Sequence, residues 1–256
     1  MPKSSKVNSW YGWLPDRPDF RDKLYSAIAA PPKKLPPSVD LRPGCSAVEN
    51  QGQLGSCTAN ALAGNLEFLE KQAGAVPADL SRLFIYYNER AVEGTINEDA
   101  GAFIRDGIKT LAKYGVCSEA KWPYNIARFK QKPSAACYKE GLKHQIVSYH
   151  RITSLTQMKQ CLAEGFPFVF GFTVYESFES AAVAKTGKLD MPTAKEKTLG
   201  GHAVMAVGYN DSQKRFTIRN SWGADWGLAG YFTMPYAYLS DNNLADDFWT
   251  IRTMES

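Results

Sequence analysis

The hydrophobic pattern of this 256-residue chain changes period about halfway along, and that change limits the possible folds more than any other feature. From Asp40 to about residue 114 the apolar side chains recur at helical spacing. In CTANALAGNLEFLEKQ (57–72), Ala59, Leu62, Ala63, Leu66 and Leu69 share a face, Ser56 is placed to cap the start, and Gly74 lies beyond the end. Two more helices are predicted over 80–92 and 102–114, and a short one over 155–164. Beyond that the pattern turns to alternation or short apolar runs, which predict strands over 168–174, 202–209, 216–220, 231–234 and 248–252, with Asn210-Asp211-Ser212 turning between two of them. Helices first and strands later predict an α+β protein of two lobes, a mainly helical one over 40–145 and a mainly β one over 146–256.

Residues 1–39 have a different character. They hold seven of the fourteen prolines, including Pro31-Pro32 and Pro36-Pro37, which rules out a continuous helix or a central strand and predicts an extended, partly polyproline-like arm. Trp10, Tyr11, Trp13 and Phe20 are unlike a solvated linker, because aromatic rings gain most by docking. The arm is therefore expected to strap the body, either along its flank or across a functional cleft. It also holds the whole net charge of +4: Lys3, Lys6, Arg17, Arg21, Lys23, Lys33 and Lys34 against Asp16, Asp19 and Asp22, which leaves the remaining residues neutral. A neutral body argues against nucleic acid as the principal partner, since phosphate binding needs a dense basic face. No window reaches the roughly 18 to 20 apolar residues of a membrane span, so no membrane association is expected. The first residues lack an apolar leader, which points to the cytoplasm or to export by another route.

Five cysteines, Cys45, Cys57, Cys117, Cys137 and Cys161, show no C-x-x-C and no paired histidine spacing, so no metal is expected and at least one thiol stays unpaired within the chain. Only Cys57 opens a predicted helix, where the N-terminal dipole favours thiolate. The polar, glycine-punctuated loop Glu49 to Ser56 before it can bring backbone close to a substrate. A partner base must come from three histidines. His144 and His150 read as surface or hinge residues, whereas His202 follows Gly200-Gly201 and opens an apolar strand. Asn220, ending the strand over 216–220, can accept an imidazole N–H through its amide oxygen, and Trp222 can shield that bond from water. Two competing motifs fail. AAVAKTGK (Ala181 to Lys188) lacks the first glycine of a phosphate loop and the Ser or Thr after its lysine, and Asn210-Asp211-Ser212, although a glycosylation sequon, is explained by its turn.

The strings NQGQLGSC, GGHAVMAVGY and RNSWGADWGLAGYF resemble the three conserved-motif blocks of the papain-like cysteine peptidases, in the family's order of cysteine, histidine and asparagine. KYGVCSEAKWPYN is similar to a further stretch of that family, so the resemblance runs from about Pro37 to the C-terminus. It implies the two-lobe papain-like fold with a β-barrel-like second lobe and the site in the cleft between lobes. It also implies hydrolysis of protein or peptide substrates by one chain without metal or organic cofactor. Cys57 would be nucleophile, His202 base and acid, Asn220 the orienting residue, and Gln51 an oxyanion donor beside the Cys57 N–H. Gly101 would bind an extended substrate backbone, Gly171 would line the pocket for the residue second from the scissile bond, and Trp222 would be a third substrate-binding residue. The chain departs from the pattern at Leu54, in place of a cysteine, at Thr58, in place of an aromatic residue, and in having a 39-residue arm instead of a long helical prosegment; these departures resemble a bacterial branch of the family. The arm is then expected to act as an intramolecular inhibitor of a zymogen, and deleting residues 1–38 to raise turnover. A catalytically idle peptide-binding relative and a thiol acyltransferase are the alternatives.

Overall fold

The computed structural model describes residues 11–29, 34–75 and 79–254, with the side chain of Met254 undescribed. Its elements in order are β1 (Trp13–Leu14), β2 (Ser38–Asp40), α1 (Cys57–Gln72), α2 (Arg82–Glu93), β3 (Ala102–Phe103), α3 (Ile104–Tyr114), α4 (Ala135–Gly141), β4 (Ile146–Arg151), α5 (Leu155–Ala163), β5 (Phe168–Tyr175), α6 (Ala181–Thr186), β6 (Thr198–Asn210), β7 (Arg215–Arg219), β8 (Tyr231–Pro235), α7 (Tyr236–Leu239) and β9 (Ala245–Met254).

The fold is papain-like, with the expected α+β arrangement of helices against a large sheet. One core gathers Leu62, Leu66, Leu83, Phe84, Ile108 and Leu111 from α1 to α3, and α1 is buried along nearly its whole length. The other gathers Phe168, Phe170, Phe172, Phe216, Phe232 and Phe248 from the sheet. The seven-stranded sheet runs β4-β9-β5-β6-β7-β8, with β2 added along β6 in antiparallel register, Val39 opposite Tyr209. Apolar runs without alternation, as in β5 and β6, belong to strands covered on both faces.

Several local expectations are corrected. The helix predicted from residue 102 begins at Ile104, because Ala102 and Phe103 are drawn into β3 by parallel pairing with β1 of the arm. Ser56 stands at the cap position of α1 but its hydroxyl makes no capping bond; it meets the Tyr124 hydroxyl at 2.5 Å and the Asn60 amide instead. His150 is buried in β4 rather than on the surface, and His144 is half-buried against Glu70, Nδ1 to Oε1 2.6 Å. Residues 181–186 of the rejected phosphate-loop string form α6, and Asn210 accepts bonds from Ser212 and Gln213 within its turn. All five cysteines are buried free thiols. Among the described residues no helix is long and apolar enough to cross a membrane, and no cluster of His, Cys, Asp or Glu is arranged to hold a metal ion.

Of the arm, Trp10 and Pro31-Pro32 lie outside the described residues. The described parts are extended or briefly turned, and Tyr25 is fully buried in the sheet-side core with its hydroxyl donating to Glu164 at 2.8 Å.

Candidate active site

Cys57 is the first residue of α1, fixed by the loop before it. Asp99 accepts the Gly55 N–H at 3.0 Å and the Tyr86 hydroxyl, and Tyr124 donates to the Gln51 carbonyl at 2.9 Å. Two residues to which the sequence assigned no role, Asp99 and Tyr124, thus hold the nucleophile's loop. The Cys57 sulfur is fully buried, with the backbone N–H groups of Ala203, Gly12 and Thr58 aimed at it. Ala203 follows His202 in β6, so the sulfur at the helix tip meets the strand that carries the histidine.

His202 Nε2 and Asn220 Oδ1 are 2.8 Å apart, and the same oxygen accepts the Ser221 N–H at 2.9 Å, which leaves the ring's donor facing a fixed acceptor. His202 Nδ1 has no hydrogen-bond partner among the described residues. Trp222 covers this pair, its ring centroid 5.2 Å from the imidazole at 31°, in a cluster with Phe178 and Trp226. Gln51 is buried beside it: Nε2 donates to Leu54 O at 3.0 Å and Oε1 accepts from Ser221 at 2.6 Å. The structure therefore brings Cys57, His202, Asn220, Gln51 and Trp222 into one neighbourhood.

Gly101 and Gly171 lie in it too, but both are occupied by the arm. Gly101 has φ +74°, and a Cβ there would strike Gly12 O at 2.2 Å. The extended backbone is bonded by the next residue, Ala102 N–H to Gly12 O at 2.7 Å, while the Gly101 N–H goes to Tyr86. A Cβ on Gly171 would enter the Trp13 ring at 1.9 Å, so the space above this glycine is the seat of that indole. Tyr11 closes the top, 6.0 Å from His202 and 6.1 Å from Trp222 between centroids, its hydroxyl on Glu179.

The arm is clamped by buried charge that no sequence pattern announced. Asp247 Oδ2 accepts the Trp13 Nε1–H at 3.0 Å and the Asp16 N–H at 2.7 Å; Asp16 accepts Trp249 Nε1–H at 3.0 Å and Arg105 N–H at 3.2 Å. Arg151 bonds Asp246 and Asp247, and Arg105 bonds Asp22. Burial, then the neighbouring Asp247 charge, pushes the Asp16 carboxyl up, against Trp249 and Arg105; burial also raises Asp247. Asp247 itself sits at φ +59°, a left-handed conformation that side chains rarely adopt.

With the arm in place, burial raises the Cys57 thiol to about 12, against the three N–H groups, and burial lowers His202 to about 4, against its bond to Asn220. Both shifts disfavour the charged forms of the thiol and the imidazole while the arm covers them.

This fold and site define a cysteine peptidase, a hydrolase. Residues 35–247 match the family model of the papain family cysteine proteases, and the chain belongs to that family. A solved structure to which it is similar is that of xylellain, a cysteine protease from Xylella fastidiosa, at 45% identity and TM-score 0.90 over 99% of both chains. A peptidase C1-like protein of Acanthamoeba polyphaga mimivirus is 44% identical over 97% of this chain and 88% of its own. Chymopapain of Carica papaya is 29% identical over 84% of this chain, which spans only 58% of that protein's length.

Proposed function

We propose that the chain is an endopeptidase working through a thiolate–imidazolium pair, made as a zymogen whose arm covers the cleft, one chain being the acting unit. The Cys57 sulfur attacks the peptide carbonyl, and its proton passes to His202. The Gln51 side chain and the Cys57 N–H hold the oxyanion, His202 protonates the leaving amine, and water deprotonated by His202 releases the acyl group. Asn220 keeps the imidazole in the tautomer and plane this requires. Substrate backbone would lie where Gly12 lies, beside Gly101 and Ala102, with a side chain above Gly171.

The observation that carries the reading is the His202 to Asn220 bond under Trp222, on the strand whose next N–H meets Cys57. The burial of both groups beneath the arm, which disfavours their charged forms, supports the zymogen half. Withdrawing Tyr11, Gly12 and Trp13 admits water, and the burial that suppresses both charges is relieved. Because Tyr25 belongs to the core, removing residues 1–38 also removes core packing, and changes confined to Tyr11–Asp16 test the arm more cleanly. The test is labelling by an epoxide thiol inhibitor, located by mass spectrometry, with hydrolysis of a fluorogenic peptide. Label at Cys57, abolished in His202→Ala and faster when Trp13 is truncated, is expected. Label at another cysteine overturns the assignment.

A further inference from the structure

We propose that one ordered water, held between Asn60 Oδ1 and Asn220 Nδ2 behind the dyad, couples the helix bearing Cys57 to the residue that holds His202. Asn60 is thereby a positioning residue for the reaction. The inference rests on the catalytic reading above for the role of Asn220, and on geometry alone for the water.

Asn60 lies one helical turn beyond Cys57 in α1, on the same side of the helix. Its Nδ2 donates to Ser56 O at 2.9 Å and to Ser56 Oγ at 3.1 Å, which fixes the amide's orientation. The remaining atom, Oδ1, is buried and has no hydrogen-bond partner among the described residues. Asn220 presents the complement. Its Oδ1 is used by His202 and Ser221, and its Nδ2 is buried and has no hydrogen-bond partner among the described residues.

Asn60 is 7% exposed and Asn220 3%, and both line one small cavity with Ala61, Ala203, Met205 and Ser221. Its volume is about 10 Å³. That is the room one water needs, and a polar cavity of this size is hydrated where an apolar one stays dry. The two unpartnered atoms of these lining residues, an acceptor on Asn60 and a donor on Asn220, match the two roles a water can play at once. It accepts from Asn220 Nδ2 and donates to Asn60 Oδ1. The bonded path then runs from α1 through Asn60, water and Asn220 to His202. It spans from the helical side to the sheet side, and so sets the ring relative to a sulfur one turn away on the same helix.

The test compares the full-length protein with Asn60→Ala and Asn60→Leu. Both variants lose the two bonds to Ser56, but alanine leaves room for water at Asn220 Nδ2 and leucine fills it. High-resolution crystal structures are expected to show a water within hydrogen-bond distance of Asn220 Nδ2 in the wild type and Asn60→Ala, and none in Asn60→Leu. The kcat of both variants is expected about five- to tenfold below that of the wild type, KM unchanged and the acidic limb of the pH profile displaced, because neither side chain reaches the water. An empty cavity in the wild type, or kcat of both variants within twofold of the wild type, overturns the proposal. If the wild type hydrolyses no peptide, the catalytic reading fails on that result alone, while the density at Asn220 still decides the water.

Discussion

Truncating Trp13 to alanine is the sharpest perturbation of the covered state. The indole is 7% exposed, seated above Gly171 with its N–H on Asp247. A buried tryptophan removes about 150–250 Å² from water, worth about 4–6 kcal/mol at about 25 cal/mol per Å². Part of that area stays covered by neighbouring arm atoms, and Asp247 keeps the Asp16 N–H, so a loss of about 3 kcal/mol in docking is expected. At about 1.4 kcal/mol per factor of ten, the ratio of covered to open protein falls by about a hundredfold. Initial rates on a fluorogenic peptide, and the rate of epoxide labelling at Cys57, should rise together, by that factor or until the open form predominates. The common rise is the point, since a change in substrate affinity would move turnover alone. A Trp13→Ala protein with an unchanged melting profile but wild-type rates in both assays would show that the arm does not restrain the thiol.

The other expectations concern charge and orientation. Because docking raises the Asp16 carboxyl above its free range, the proton it keeps favours the covered state at low pH, and that contribution is lost as pH rises through the raised value. Asp247, Asp22, Asp246, Arg105 and Arg151 surround it. The ratio of labelling rates, wild type over Trp13→Ala, should therefore climb with pH and lose that climb in Asp16→Asn; a flat ratio in the wild type refutes the sign. Gln51→Ala should lower kcat on the order of 10²–10³ if its amide serves the oxyanion, measured at saturating peptide. Asn220→Ala loses one hydrogen bond to the imidazole and should cost about tenfold in kcat with KM unchanged; an equal loss in KM would assign Asn220 to binding instead.

What could be read from the chain was what is written locally. The helical period pinned α1 to Cys57, and the apolar run after His202 pinned β6. What could not be read was set by partners distant in sequence. Nothing near Asp16 announces Asp247, 231 residues away, and nothing near Phe103 says that an arm strand will take it out of a helix. Ser56 had the right residue type for a cap, but the Tyr124 hydroxyl takes its oxygen. His150, beside a short polar-apolar stretch, read as a surface or hinge residue, but it lies in β4, which pairs with β9, and is buried. Within the candidate site, Cys57, His202, Asn220 and Gln51 were visible as residues in order. The clamp on the arm and the props behind Cys57 came only from tertiary packing.

The pairing of Ser38–Asp40 with β6, together with the seat of Tyr25, gives the arm two moorings away from the cleft. When Tyr11 to Leu14 lift off, the loosened piece remains tied within a few nanometres of where it lay, at an effective concentration on the order of millimolar. On the proposed zymogen reading, opening is a reversible flicker that a competing peptide must outpace. Only scission of the leash ahead of Tyr25 would convert it into a one-way step, so a nick there would act as a ratchet.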